Sequence, residues 1–350
     1  MGLFFHRGGV IIITMMPEII VCPVCSTKVG SQSYLQRYIS DWNKKEYKLY
    51  HCEGCELEWW EPLKIEKEFY EEEGSESYTV FHLGIAETLG ENHKAFFKYF
   101  PLKSGRLLDL GCGDGRFLKR AQEMGFEVWG IDFDRKSVEV CREKRGLKNV
   151  YAMSLEEFVD FAEKEGLKFD VITFFEVLEH QDKPREFLEN VKRLLKPGGY
   201  IAGSVPNRRL LSFVKKSLNY SMGNFPPHHF LWFDEYTLKR CLNFCGFEVK
   251  LIIELQISNL FRRLFENSAR LEYALLGVKG VYLRRNVKKK ILSNKNFYNT
   301  SNFRKIFFKI LKITRNISFL ITTFLLMPVI TGTNLYFQAQ LPSEFITEKP

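Results

Sequence analysis

The stretch LLDLGCGDGRFL, residues 107–118, joins a short apolar run to a glycine-rich turn. The run ends in Asp109, and Gly111, Gly113 and Gly115 follow at alternate positions. A strand, a glycine turn and a helix in this order are typical of nucleotide-binding α/β folds, where the backbone comes close to its ligand. The dinucleotide fingerprint would have a third glycine where Arg116 stands, and a phosphate loop would end in Gly-Lys-Ser or Gly-Lys-Thr. The turn alone therefore does not identify the ligand.

Apolar runs and helical segments alternate around this turn. Between Gly105 and Pro206 the expected strands are RLLDL, EVWGIDF, NVYAM, FDVITFF and GYIAGSVP, the last preceded by an expected LKPGG turn. Such alternation is typical of βαβ units. The sequence predicts an α/β fold with a doubly wound, mostly parallel, Rossmann-like sheet.

The composition changes along the 350-residue chain and suggests four parts. We expect a small cysteine-bearing module at 17–62, a helical linker or cap at 63–104, and the α/β domain at 105–250. A basic, helical C-terminal region at 251–350 would follow, in which the alternating residues GTNLYFQAQ (332–340) predict a late strand that finishes the sheet.

Acidic residues at two expected strand ends narrow the ligand. Asp109 would repel a phosphate and suits a cationic group such as an ammonium. Asp132, in GIDFD at the end of the next strand, can accept hydrogen bonds from ribose hydroxyls and excludes a 2′-phosphate. An amino group and a ribose without a pyrophosphate describe S-adenosylmethionine.

Together, LLDLGCGDG, GIDFD and the stretch from Phe169 to Asn207 resemble the class I S-adenosylmethionine-dependent methyltransferases. The resemblance covers about residues 105–206. It implies that Asp109 and the backbone of Gly111, Cys112, Gly113 and Gly115 hold the methionine end of the cofactor. It also implies that Asp132 holds the ribose, with Phe133 beside the adenine. Ser154 and Leu155 match the position near the adenine amine, and Phe175 would line the site.

Four of the eight cysteines form two close pairs, CPVC at 22–25 and CEGC at 52–55. Two thiolate pairs on two turns can meet around one Zn²⁺. A redox dithiol is the alternative, but it would need a thioredoxin-like context. We expect Cys22, Cys25, Cys52 and Cys55 to hold a structural Zn²⁺, because four protein ligands leave the ion no open position.

The acceptor side is indicated by FPPHHFLWFDEYTLKRCLNFCGFEV, residues 225–249. This segment resembles one in methyltransferases associated with polysaccharide and glycan biosynthesis. His228 or His229 is the candidate base that removes the acceptor's proton, and both could equally be packing residues. In VLEHQDKP, Glu179 and His180 are either catalytic or simply fix the loop. These residues favour methyl transfer, most readily O-methylation, to a small-molecule or lipid-linked saccharide acceptor.

The charge is concentrated in the tail. No Asp or Glu and twelve Lys or Arg lie between Tyr273 and Ser343, whereas the rest of the chain has 39 basic and 42 acidic residues. The segment FRKIFFKILKITR (303–315) has the spacing of a cationic amphipathic helix, and an uncharged run follows it to about residue 330. Three interpretations of this tail stay open: it binds an anionic membrane surface, it packs on the sheet as a buried helix pair, or it binds RNA.

Other functions stay open at this stage. An RNA methyltransferase is one alternative, but nucleic acid is disfavoured because no aromatic-rich nucleic-acid module is recognisable. A non-catalytic cofactor-binding scaffold is another. Scattered cysteines and the lack of a signal-peptide cleavage site favour the cytoplasm, with peripheral binding to the inner face of the membrane through the tail.

Overall fold

The computed structural model describes residues 19–66, 88–209, 225–255 and 334–343. These residues form a small N-terminal β unit and a larger α/β unit. The predicted amphipathic segment at 303–330 lies outside the described residues. Within the described part of the chain, no helix is both long enough and apolar enough to cross a membrane.

The N-terminal unit consists of short antiparallel strands: β1 (Ile20–Val21), β2 (Lys28–Val29), β3 (Tyr34–Ile39), β4 (Glu46–His51) and β5 (Glu58–Glu61). The first two form a ribbon, and the other three form a sheet in the order β5-β4-β3. Its alternating buried residues include Tyr47, Leu49 and Trp60, which are almost fully excluded from solvent.

The α/β unit continues in chain order. Its elements are α1 (Glu91–Tyr99), β6 (Gly105–Leu110), α2 (Arg116–Glu123), β7 (Phe126–Asp132), α3 (Arg135–Glu143), β8 (Val150–Ala152), α4 (Leu155–Lys164), β9 (Phe169–Phe175), α5 (Pro184–Leu194), β10 (Leu195–Pro206), α6 (Glu235–Phe244), β12 (Glu248–Leu255) and β13 (Asn334–Gln340). Between β10 and α6, the short strand β11 (Leu231–Trp232) joins the sheet of the N-terminal unit by pairing with β5. All the predicted strands between Gly105 and Pro206 are present. The expected LKPGG turn is part of β10, where the pairing with β9 shifts register between Leu195 and Tyr200.

The central sheet has seven strands in the order β12-β13-β10-β9-β6-β7-β8. The five strands from β10 to β8 are parallel, and β13 pairs antiparallel with both β10 and β12. Neighbouring residues of β6 belong to different cores, since Leu107 packs with Phe96 of α1 and Leu108 packs with Leu188 of α5. Burial on both faces is expected of a parallel sheet covered by helices. The predicted Rossmann-like, mostly parallel fold is confirmed.

Local residues explain where the helices begin. The side chain of Asp134 accepts a hydrogen bond from the Lys136 amide at the start of α3, and Pro184 occupies the first turn of α5. Side-chain caps of this kind stabilise a helix end by about 1 kcal/mol. The start of α2 has no side-chain cap; Gly115 precedes it with a left-handed φ of 74°.

The C-terminal strand lies inside the central sheet, although it comes after the predicted boundary of the α/β domain at residue 250. The late strand predicted within 332–340 is β13, and it inserts between β10 and β12 rather than at the edge of the sheet. The expected boundary at residue 250 falls within β12, whose pairing with β13 continues to Leu255. The α/β unit therefore includes 334–340, because the backbone groups of β10 and β12 on facing edges need a partner strand.

Candidate functional site

The glycine turn lies at the carboxyl end of β6. Gly111, Gly113 and Gly115 all have positive φ angles, of 72°, 52° and 74°. A Cβ on Gly111 would lie 2.8 Å from the Val177 side chain, and one on Gly115 would lie 2.7 Å from Cys141 Sγ. Left-handed backbone favours glycine, and these close approaches exclude other side chains. The result is a tight cradle of backbone amides at the edge of the sheet.

Asp132 borders this cradle at the end of β7. Its Oδ2 accepts a hydrogen bond from the Gly113 amide at 2.8 Å, and its Oδ1 accepts one from the Asp134 amide at 2.9 Å. Two backbone donors thus fix the orientation of the carboxylate. Phe133 follows with 59% of its surface exposed. The two residues lie side by side at the edge of the cradle, where ribose and adenine contacts were predicted.

Asp109 lies beneath the turn and is 3% exposed. Its Oδ1 accepts a hydrogen bond from Thr173 Oγ1 at 2.6 Å, across the β6–β9 pair. Burial is the main cause that raises the pKa of the Asp109 carboxyl to about 8, and the charge of Asp132 adds to it. A cationic group bound next to such a buried acid would favour its charged form and lower its pKa.

The other predicted cofactor residues occupy different surroundings. Cys112 is buried, and Leu155 is 8% exposed. Ser154 is the N-cap of α4 and forms a capping box with Glu157, in which each side chain bonds the other residue's backbone amide. Phe175, the last residue of β9, packs edge-on against Phe117 and His93 with ring centroids 4.8 Å apart in both pairs.

Sequence reasoning missed His93 on α1. Burial, with a smaller contribution from Arg116, lowers the pKa of its imidazole to about 3. Its buried Nδ1 has no hydrogen-bond partner among the described residues. The predicted helical linker or cap at 63–104 included this residue, but only the packing of α1 against the sheet brings His93 to Phe175.

The loop after β9 contains a residue with a strained backbone conformation. Glu176 has a φ of 57°, which is unfavourable for a residue with a Cβ. Its amide donates to the Ser204 carbonyl at 2.9 Å, and its carboxylate accepts from Ser204 Oγ at 2.6 Å. Asn92 on α1 donates to the same Ser204 oxygen at 3.2 Å. These contacts hold the loop in place at the carboxyl ends of β9 and β10. No sequence pattern pointed to Asn92 or Ser204.

Three histidines meet next to this loop. The rings of His180, His228 and His229 have centroids 4.4–4.6 Å apart. His180 Nδ1 lies 2.5 Å from the His228 carbonyl oxygen, and the Phe230 amide donates to the Glu179 carbonyl at 3.0 Å. The structure therefore joins the two predicted candidate groups, from VLEHQDKP and from FPPHHFLWF, into one cluster. We call His180, His228, His229 and Glu179 the histidine cluster.

Glu179 is the most buried member of the histidine cluster, with no exposed surface. Burial, reinforced by the charge of Glu176, holds the pKa of the Glu179 carboxyl well above its usual range. Burial lowers the pKa of His180 to about 3 and holds that of His229 well below its ordinary value. The two imidazoles are therefore neutral at pH 7, in the form that can accept a proton.

The N-terminal unit holds the segment that carries His228 and His229. β11 extends the β5-β4-β3 sheet by pairing with β5, so that Leu231 lies opposite Trp59. The Trp60 amide donates to the Phe230 carbonyl at 3.0 Å, and the Trp60 ring packs edge-on against Trp232 at 5.3 Å. Arg208 adds an ion pair to Asp234 at 2.7 Å and a hydrogen bond to the Glu56 carbonyl at 2.9 Å.

The four cysteines of the two pairs come together as predicted. Cys22 Sγ is 3.5 Å from Cys55 Sγ, Cys25 Sγ is 3.4 Å from Cys52 Sγ, and all four sulfurs lie within 4.8 Å of one another. Tetrahedral Zn²⁺ with Zn–S bonds of about 2.3 Å requires S···S separations of about 3.8 Å. The thiols therefore fit a single tetrahedral ion.

The two cysteine turns have the same backbone design. In the first turn, the Cys22 amide donates to the Thr27 carbonyl, and the Ser26 amide donates to the Cys22 carbonyl. In the second, the Cys52 amide donates to the Leu57 carbonyl, and the Glu56 amide donates to the Cys52 carbonyl. The hydrogen bond with Cys55 holds the pKa of the Cys22 thiol far above its usual range, and the same bond lowers that of Cys55 to about 5. Without a cation, the cluster thus cannot hold all four sulfurs as thiolates.

Comparison with known proteins identifies the family. The family model of a methyltransferase domain matches residues 82–251. A ubiquinone biosynthesis O-methyltransferase of Pelagibacter ubique is 30% identical over 176 residues, which cover 49% of this chain and 68% of that protein. The chain belongs to the class I S-adenosylmethionine-dependent methyltransferases.

Two further relatives of this methyltransferase are more distant. A protein of the same name from Maricaulis maris is 29% identical over 160 residues, covering 45% of this chain and 60% of that relative. A solved S-adenosylmethionine-dependent methyltransferase from Archaeoglobus fulgidus is 20% identical, with a TM-score of 0.42, over 71% of this chain and 92% of its own. In several curated relatives the matched part is about half of the relative's length, for example 49% in Paraburkholderia phymatum.

The glycine cradle and Asp109 of this methyltransferase fit S-adenosylmethionine. The glycine cradle has no room for a side chain at Gly111 or Gly115, and the buried Asp109 carboxyl suits a cationic group. The predicted contacts of individual residues with the cofactor stay predictions.

Proposed function

We propose that this methyltransferase transfers a methyl group to a hydroxyl oxygen of a small-molecule acceptor. The observation that carries the proposal is the position of the histidine cluster. Val177, three residues before His180, packs against Gly111 of the cofactor cradle. Neutral imidazoles, among them the partly exposed His228, therefore lie beside the cofactor site. The names of the two curated relatives, both O-methyltransferases, support an oxygen acceptor.

On the cofactor side, Asp109 and the backbone from Gly111 to Gly115, including Cys112, hold the methionine end. Asp132 holds the ribose, and Phe133 covers the adenine. Ser154 and Leu155 border the adenine at the start of α4, where the capping box leaves the Ser154 hydroxyl hydrogen able to donate. Phe175 supports the cradle from beneath, through its contacts with Phe117 and His93.

On the acceptor side, the histidine cluster orients the hydroxyl and takes its proton. His228 is the member we assign as base, because it is partly exposed whereas His229 is buried and His180 Nδ1 is bonded to a carbonyl. When bound, S-adenosylmethionine supplies an electrophilic methyl group. As the oxygen–methyl bond forms and the sulfur–methyl bond breaks, the hydroxyl proton passes to the imidazole, a step that contributes about 100-fold or more to such rates.

Zn²⁺ at the four cysteines would serve the acceptor side indirectly. It would fix the two cysteine turns, and the turn at Cys52–Leu57 bonds Arg208 through the Glu56 carbonyl and Arg240 through the Gly54 carbonyl. Through these residues and β5, the N-terminal unit positions the segment with His228 and His229. The zinc would thus be structural, with no contact to the reacting atoms.

Among hydroxyl acceptors, a saccharide or a lipid-linked saccharide is the narrower proposal. It rests on the resemblance of residues 225–249 to glycan-associated methyltransferases and on the basic tail between Tyr273 and Ser343. Attraction of that tail to an anionic leaflet, at about 1 kcal/mol per basic residue, would hold the enzyme beside lipid-linked acceptors.

An acceptor panel tests the proposed function. The purified chain is incubated with S-adenosylmethionine and with catechols, hexose derivatives or primary amines, and release of S-adenosylhomocysteine is measured. We expect turnover with hydroxyl acceptors. In His228→Gln, kcat should fall about 100-fold or more while the affinity for S-adenosylhomocysteine is unchanged. Glu163→Gln is the control, since Glu163 pairs with Arg193 at 2.8 Å on the surface, away from both sides of the site, and it should keep full activity.

Two outcomes would overturn the proposal. Turnover with amines alone would assign a nitrogen acceptor. Tight cofactor binding with no turnover on any hydroxyl compound, including lipid-linked saccharides, would favour a non-catalytic scaffold.

A further inference from the structure

The histidine cluster has a donor set that the proton-transfer role does not explain. Glu179 has no exposed surface, and neither of its carboxylate oxygens accepts a hydrogen bond from any described residue. Leaving a buried polar group unsatisfied costs about 1–3 kcal/mol, and more if it is charged. A buried carboxyl group in such a place lacks a polar partner among the residues that the structure describes.

Two imidazole nitrogens face this carboxylate. Glu179 Oε1 lies 3.8 Å from His180 Nε2 and 3.9 Å from His229 Nε2. These distances are too long for hydrogen bonds. They are close to the spacing of two ligands on one cation, which is about 3.4 Å for metal–ligand bonds of about 2.1 Å in a tetrahedral site. A movement of about half an ångström would bring each of these two pairs to that spacing.

The hydrogen bond of His180 prepares its ring for a cation. A carbonyl oxygen only accepts, so His180 Nδ1 carries the hydrogen in its 2.5 Å contact with the His228 carbonyl. The backbone of Glu176 also bonds this ring. In the tautomer with the hydrogen on Nδ1, the lone pair is on Nε2, the atom that faces Glu179. Metal-ligating histidines almost always donate their other ring N–H to a carbonyl or carboxylate in this way.

We infer that His180 Nε2, His229 Nε2 and a Glu179 carboxylate oxygen bind a divalent first-row transition cation, such as Zn²⁺, separate from the four-cysteine site. Two imidazoles and a carboxylate are a ligand set found in metal sites that keep open positions. The ligand atoms offered by the three histidines lie within 4.8 Å of one another, so the ring of His228 lies beside the proposed site.

The site deepens the proposed function without depending on it. If the acceptor hydroxyl occupies an open position, the cation favours loss of its proton, which passes to His228 as the oxygen–methyl bond forms. This role of the cation in proton loss rests on the proposed function. Binding of the cation rests only on Glu179, His180 and His229.

Metal analysis of the intact chain tests the inference. The wild-type protein, saturated with Zn²⁺ and freed of excess ion, should hold about two ions per chain, one for each site. X-ray absorption at the zinc edge should show sulfur and nitrogen or oxygen ligands in similar amounts. About one zinc per chain with sulfur ligands alone would overturn the inference, and this measurement requires no variant.

Variants then assign the ligands. Glu179→Gln and His229→Gln should lose one equivalent of zinc and keep the sulfur-bound ion. Glu163→Gln, which lies on the surface in an ion pair with Arg193, and His228→Gln should keep both ions. Loss of the second ion in His228→Gln but not in Glu179→Gln would overturn this ligand set. Titration with S-adenosylhomocysteine confirms that each variant is folded, and the ion count stands whether or not an acceptor is methylated.

Discussion

The cofactor side and the acceptor side of this methyltransferase are encoded in different ways. The glycine cradle, Asp109 and Asp132 come from one stretch of 26 residues, from Leu107 to Asp132, that folds as β6, α2 and β7. The acceptor side combines the loop after β9, the segment from Phe225 to Asp234 and the N-terminal cysteine unit. Its contacts join residues more than 100 positions apart, such as Trp60 and Phe230.

This difference teaches how one cofactor site can serve different acceptors. The cofactor side is encoded mostly by neighbouring residues, since the Gly113–Asp132 hydrogen bond joins the turn after β6 to the end of the adjacent strand β7. The acceptor side requires the N-terminal unit to complete it, because β11 is only two residues long and gains its partner strand from β5. Changes in that unit should alter acceptor chemistry and leave cofactor binding intact.

The largest expected effect concerns the cofactor side. Asp132→Ala removes the carboxylate that bonds the Gly113 amide and, in our proposal, the ribose hydroxyls. Hydrogen bonds to a charged group contribute about 1.5–3 kcal/mol each, so the affinity for S-adenosylhomocysteine should fall about 100-fold or more in calorimetry. Asp160→Ala, an exposed position on α4, is the control and should bind normally. An unchanged affinity in Asp132→Ala would remove this residue from the cofactor site.

The buried acid predicts a dependence of stability on pH. Because the pKa of Asp109 is about 8 in the folded chain and near 3.8 when exposed, the wild-type protein without cofactor should lose stability as pH rises from about 4 to 8. The loss has an upper limit of about 1.4 kcal/mol per pH unit. Asp109→Asn should lack this component and bind S-adenosylhomocysteine more weakly. Urea unfolding at pH 5, 6, 7 and 8 checks it, and identical pH profiles for variant and wild type would contradict it.

The smallest expected effect separates two roles of Ser154. As the N-cap of α4, it should contribute about 1 kcal/mol to the free energy of unfolding, which Ser154→Ala should lose and Ser154→Asp should restore. If the hydroxyl also donates to the adenine, both variants should bind S-adenosylhomocysteine more weakly than the wild type. Equal affinities in all three proteins would limit Ser154 to capping.

The sequence indicated the cofactor side in some detail, because strand patterns, glycine turns and acidic strand ends are local signals. The N-cap role of Ser154 was also readable, since Ser-Leu-Glu-Glu at 154–157 has capping-box spacing. The four cysteines were paired by spacing alone. Patterns of this kind report contacts between neighbours in the chain.

Long-range contacts gave no comparable signal. The sequence indicated His180 in one motif and His228 and His229 in another, and only the fold brings the two motifs together around Glu179. The position of β13 between β10 and β12 depends on which strand edges stay unpaired, and periodicity does not report that. Asn92 and Ser204 look like ordinary polar residues until the strained loop at Glu176 is seen.

Hydrogen exchange on Cys52→Ser, combined with titration of S-adenosylhomocysteine, tests the separation of the two sides most directly. We predict faster exchange at the amides of Phe230 and Leu231, because loss of the zinc ligand loosens the unit that holds them through β5. Cofactor affinity should stay within about threefold of the wild type, well under 1 kcal/mol. Unchanged exchange at these amides, or a cofactor affinity that falls together with the acceptor segment, would contradict the account.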